Sequence, residues 1–171
     1  MPEPKSTNPR VALLVRSLDQ AFDRKSWHGT NLKGSLRGLP FDQAIWRPAR
    51  GRHNIWELTV HAAYWKYAVR RRVTGEKRGS FTVRGSNWFT RPDGLTEADW
   101  RREVDLLSEE HRALRDAVSA LSDAVLDRKS GEYDLSGLIT GAIAHDLYHA
   151  GQIQLIKKLF RNEDEETGRS L

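Results

Sequence analysis

Six histidines stand in the chain, and two of them, His145 and His149, lie one helical turn apart in the run His145-Asp-Leu-Tyr-His149. Side chains at i and i+4 of a helix have Cβ atoms about 5–6 Å apart, so two imidazoles at this spacing can converge on one ion. On a helical wheel both fall near the middle of the apolar stripe of Leu138, Ala142 and Ile156. His61 lies between Leu58 and Trp65 on another helical segment, toward one side of its apolar face. An imidazole buried beside leucines is destabilising unless it finds a partner. A divalent cation is a partner that His61, His145 and His149 can share. Three protein ligands leave at least one position open to water or substrate, which is the pattern of a catalytic site. Interior histidines satisfied by neighbouring polar groups would occupy the same wheel positions, so that reading stands beside the metal one.

Other residues are candidates for supporting parts. Asp146 follows the first histidine of the pair, where zinc proteases of the H-E-x-x-H type carry a glutamate as general base. The aspartate is one methylene shorter, which argues against a protease and leaves Asp146 a candidate for catalysis or for support of a ligand. His28 and His111 also fall on apolar faces and are candidates for acid–base work or as an added ligand, against the alternative of hydrogen-bonded interior histidines. Glu57, one turn before His61, is placed to orient that ring. Trp65, Trp88 and Arg72 are candidates for binding a substrate, the aromatic residues as pocket walls and the arginine as an anchor for carboxylates. His53 precedes a helix and reads as exposed.

These residues need rigid elements to hold them, and the dominant period of the chain is helical. Apolar residues at Val11, Leu14, Val15, Leu18, Phe22, Leu32 and Leu36 predict a first helix, bent or interrupted at Gly29. Pro40, Pro48 and Gly51 mark a connection. A second helix should start at Asn54, with Glu57 three residues on as in a capping box, and end near Gly75. The segment 76–95 has no clean period and is long for a connection, which suits a crossover between two parallel helices. Thr96 with Asp99 predicts the start of a third helix, carrying Trp100, Val104, Leu107, Leu114, Val118 and Leu121. The fourth should begin after Asp134 and carry the histidine pair. The expected fold is all-α, a four-helix bundle with a long crossover between the second and third helices. It forms a single domain over residues 1–161, followed by a polar, unstructured tail over 162–171.

Composition narrows the function. The 171 residues are 38% hydrophobic and 30% charged, which excludes a disordered chain. Cysteine is absent, so disulfides, a thiol nucleophile and thiolate metal sites are excluded, and any thiol chemistry needs a cosubstrate. No apolar run is long enough to span a membrane, and the start Met1-Pro-Glu-Pro-Lys holds no apolar signal core, so a cytoplasmic protein is expected. The net charge of +5 comes from 28 basic and 23 acidic residues, and the excess is concentrated between Lys66 and Arg84. Nucleic-acid binding through that segment is a weaker alternative, since no recognised binding motif is present. A non-enzymatic bundle, with a structural metal closed by a fourth ligand such as His28 or with no metal, is another.

The stretches Ile55-Trp-Glu-Leu-Thr-Val-His61-Ala-Ala-Tyr-Trp and His145-Asp-Leu-Tyr-His149-Ala-Gly-Gln-Ile153 resemble the DinB/YfiT-like superfamily. So do Trp27-His-Gly and Gly85-Ser-Asn-Trp-Phe, and the resemblance runs from about Trp27 to Leu159. It implies a four-helix bundle holding a divalent metal, often zinc or nickel, on His61, His145 and His149. It also implies homodimers and small-molecule substrates. Characterised relatives include S-transferases and an isomerase that use low-molecular-weight thiols. The function expected is activation of water or such a thiol for attack on a small electrophile.

Overall fold

The computed structural model describes residues 8–79, 81–89, 91, 92, 94–166 and 168. The fold is all-α, with six α-helices and one two-residue pairing of Lys129–Ser130 with Tyr133–Asp134 among the described residues. Helix α1 spans Pro9–Phe22, and Pro9 at its first turn has the φ a helix start needs. The expected continuation to Leu36 does not form. Gly29 takes a left-handed φ of 97°, and Asn31 then caps a separate short helix, α2 (Leu32–Ser35), by accepting from the Gly34 N–H. A second short helix, α3 (Phe41–Ile45), lies in the segment expected to be a plain connection.

Two longer helices begin where their caps predict. Asn54 accepts from the Glu57 N–H to start α4 (Ile55–Thr74), which ends at Gly75 with φ 78°. Thr96 and Asp99 complete a capping box at α5 (Glu97–Ser119). Helix α6 spans Leu135–Glu166, five residues past the expected end at Arg161. Of the tail expected to be unstructured, residues 167 and 169–171 lie outside the described residues.

Helices α1, α4, α5 and α6 each pack on two of the others, α4 and α1 both lying against α5 and α6. Trp56 reaches Glu103, Lys66 reaches His111 and Arg70 pairs with Glu110, so α4 and α5 run parallel, joined by the long crossover 75–96. Helix α6 runs antiparallel to α4: His61 meets His149, and Arg72 meets Ser130 just ahead of α6.

The apolar core lies in two clusters. One is built around Trp56, Leu58, Phe89, Trp100 and Ile153, the other around Val69, Leu114, Leu135 and Ile139. Between them, at one level of α4, α5 and α6, sit the buried polar residues His61, Lys66, His111, Asp146 and His149. A polar layer inside a core persists only where its members are partnered. No described helix is long and apolar enough to cross a membrane.

Candidate metal centre

Helix α4 carries His61 and α6 carries His145 and His149, and the antiparallel packing brings the three rings to one point. The Nε2 atom of His145 lies 3.0 Å from Nε2 of His61 and 3.0 Å from Nε2 of His149. One donor atom from each residue falls within 4.8 Å of the others, and among the described residues no further His, Asp or Glu joins the group. Two nitrogens about 2.0–2.1 Å from a common ion, at angles between 90° and tetrahedral, are roughly 2.9–3.4 Å apart. The observed spacing fits that requirement.

Proton placement sharpens the fit. The Nδ1 of His61 is 2.7 Å from the backbone carbonyl of Asn87, and a carbonyl can only accept. That nitrogen therefore carries the proton, and Nε2 presents a lone pair to its neighbours. The Nδ1 of His149 likewise faces Gln152 Oε1 at 2.6 Å. Even with the proton of His145 on Nε2, that one hydrogen serves one of these two lone pairs, and the other has no donor unless a cation lies between the rings. Burial lowers the pKa of His61, with Asn87 pulling the other way. Burial, then the neighbouring His149 and His61, pushes His145 down to about 3. Burial likewise takes His149 to about 4, against the hydrogen bond to Gln152. All three are neutral at pH 7, the state a metal ligand needs.

A family model described as the DinB superfamily matches residues 25–153. The chain belongs to the DinB superfamily. The match takes in all three histidines and ends one residue after Gln152. No curated protein and no solved structure matches the chain.

In this DinB-superfamily chain the support of His61 comes from the crossover. Asn87 adopts φ 60°, a left-handed conformation that asparagine tolerates better than most residues. Its backbone carbonyl binds His61, and its side-chain oxygen accepts from Trp65 Nε1 at 3.0 Å. The next residue, Trp88, stacks on His61 at 3.8 Å on one side and on His53 at 3.7 Å on the other. The role expected of Glu57 thus falls to Asn87. The Glu57 carboxylate is held instead by Arg47 at 2.5 Å and His53 at 3.0 Å, which keep its pKa low against the opposing effect of burial.

The remaining candidates divide. His28 lies in the turn after α1 and is exposed, away from the cluster, because the helix that would have turned it inward stops at Phe22. A fourth ligand from His28 is therefore not present. His111 is buried in α5, stacked on Phe22 at 3.8 Å, with Nδ1 3.5 Å from Lys66 Nζ. Burial and the charges of Lys66, Arg115 and Lys33 push it down to about 2. Asp146 points away from the cluster and pairs with Lys66 Nζ at 2.5 Å. Burial raises its pKa against the pull of that lysine. Asp146 and His111 thus form a group with Lys66, the first residue of the basic stretch that ends at Arg84.

Trp65 is partly exposed, its ring 6.2 Å from that of His145, and Arg72 lies at the far end of α4 against Ser130. Two cavities flank the histidines. One of about 520 Å³ is bounded by His149, Trp88, His53, Tyr148 and Gln152. The other, of about 380 Å³, is bounded by His145, Trp65, Val69, Leu138 and Arg72. A hollow of about 490 Å³ against α1 contains none of the histidines. Asn87 escaped the sequence reading because it acts through its main chain. Gln152 carried a legible signal, since a residue at i+3 from His149 shares its helix face.

Proposed function

We propose that His61, His145 and His149 hold one divalent cation, zinc or nickel, through their Nε2 atoms. The protein then acts as an enzyme on a small electrophile. One observation carries the reading: His145 Nε2 lies 3.0 Å from the Nε2 atoms of both His61 and His149, and those two neutral rings each hold their proton on the far nitrogen. Such an ion, bound by neutral ligands in a low-dielectric site, lowers the pKa of a water and deprotonates a thiol. The chain's own residues do the rest. Asn87 and Gln152 hold the tautomers of two ligands, which fixes the rings and keeps Nε2 free. Trp88 stacks over His61 and shields it from solvent. The flanking cavities give two approaches to the same point, one past His149 and one past His145. Because the chain has no cysteine, a thiol nucleophile arrives as a low-molecular-weight cosubstrate.

Metal analysis of the untagged protein tests the reading, with His145→Ala and His149→Ala alongside. One ion per chain in the wild type, lost from both variants with the helical circular dichroism kept, is the expected result. Retention of stoichiometric metal by both variants contradicts it. Ester-hydrolysis and thiol-conjugation assays of the loaded protein then separate the two nucleophiles.

A further inference from the structure

The cavity on the His145 side has a built polarity. It is a groove between antiparallel helices, with Trp65, Val69 and Arg72 of α4 facing Leu138, Ala142 and His145 of α6. Trp65 and His145 sit at one end, and Arg72 and Tyr133 at the other. Its walls are mostly apolar. On the α6 side the groove is opened by two glycines one turn apart, Gly137 and Gly141. A Cβ on Gly141 would meet nothing within 4 Å, so packing does not demand a glycine there. Glycine is disfavoured in a helix interior, and what Gly141 provides is open space.

Arg72 is the polar end of this groove. Its Nε donates to Ser130 Oγ at 3.2 Å, and a terminal nitrogen donates to the Ser130 carbonyl. Both partners are neutral. Four other guanidiniums fixed in the fold are neutralised, Arg47 by Glu57, Arg70 by Glu76, Arg91 by Glu103 and Arg115 by Asp19, while Arg128, held by the Val73 carbonyl, lies outside this groove. Arg72 has no carboxylate partner among the described residues. Asp134, beside Tyr133, is used by Ser136 Oγ and the Gly137 N–H. A half-buried, pre-oriented and uncompensated guanidinium at the end of an apolar groove is an anchor for an anion. With two of its nitrogens already bound to Ser130, it suits a single carboxylate better than a phosphate, which offers more charge and more acceptors.

We propose that this groove binds a small monocarboxylate with an apolar or aromatic body, its carboxylate on Arg72 and its opposite end beside His145. The proposal rests on the metal reading for what happens at that opposite end, while binding itself needs only the groove. It names a substrate class for the site: an amphipathic acid whose reacting group lies away from its charge.

The test uses 3-phenylpropanoate and its neutral amide as probes. Binding to the full-length protein, metal-loaded and chelator-treated, is followed by calorimetry and by Trp fluorescence. The carboxylate should bind about 10- to 100-fold more tightly than the amide, as expected for a hydrogen bond to a charged group. Arg72→Gln should erase that difference. Gly141→Leu, whose side chain fills the groove one turn before His145, should abolish binding of both probes in the chelator-treated protein, where the metal plays no part. Both results should persist after chelation, so a protein that proves metal-free still reports on the groove. Equal affinity for the two probes, no binding of either, or full binding by Gly141→Leu overturns the proposal. Binding that disappears on chelation but survives Arg72→Gln also overturns it, since the carboxylate would then sit on the ion.

Discussion

Between α4 and α6 lie two groups of buried polar side chains that differ in how they are satisfied. In the first, Lys66 of α4 meets Asp146 of α6 and His111 of α5, and Phe22 stacks over the histidine. Each charge or lone pair there has a partner within the protein, and Lys66 and Asp146 are each 1% exposed. The group is closed. In the second, His61, His145 and His149 bring three Nε2 atoms together with at most the one proton of His145 among them, and cavities open beside His145 and His149. Burial alone does not separate the two groups, because His111 is as buried as His149. What separates them is whether the protein supplies a donor for every lone pair, as Lys66 does for His111, or too few, as among the three Nε2 atoms.

The largest effect expected is on the closed group. Asp146→Ala leaves a buried ammonium unpaired and should remove about 3–5 kcal/mol of stability, measured by urea denaturation. Lys66→Met with Asp146→Leu should recover most of that loss, because an apolar pair of similar volume needs no partner. A loss below about 1 kcal/mol in the single variant would show that the pair is not closed by the protein.

That contrast was only partly legible in the sequence. The spacing of His145 and His149 and their wheel positions marked them, and His61 was marked by its place beside Leu58. The same wheel also put His111 and His28 on apolar faces. A wheel reports the face of a helix and not the group opposite, so His111 was indistinguishable from a ligand until Lys66 was seen beside it. His28 was misplaced because the first helix ends at Phe22, and the wheel has no meaning beyond that point. The four long helices were legible from period and caps, with Asn54 and Thr96 starting α4 and α5 as read. The short helices α2 and α3 were too brief to show a period. Asn87 was hidden because an irregular crossover has no pattern from which to read a backbone carbonyl.

On the open group the next effect is linkage. Zinc at about 100 times its dissociation constant should stabilise the wild type by roughly 2.7 kcal/mol. The same addition should leave His149→Ala unchanged in a thermal melt. Equal stabilisation of both would place the ion elsewhere. A smaller change follows from the ligand supports: Gln152→Ala should weaken metal affinity by about 10–100-fold, read by competition with a chromophoric chelator. An unaltered affinity would mean that the His149 tautomer needs no holding. The smallest effect is at His28, where His28→Ala should change stability by less than about 0.5 kcal/mol and leave metal content unaltered. Loss of metal in that variant would reinstate a fourth ligand.

The most direct test follows the imidazole nitrogens themselves. Metal-free protein labelled with ¹⁵N at histidine is titrated with zinc and observed by NMR. One equivalent should move the Nε2 resonances of His61, His145 and His149 together, keep the Nδ1 protons of His61 and His149, and leave His111 where it was. Three Nε2 signals that do not respond, or a response centred on His111, would contradict the account.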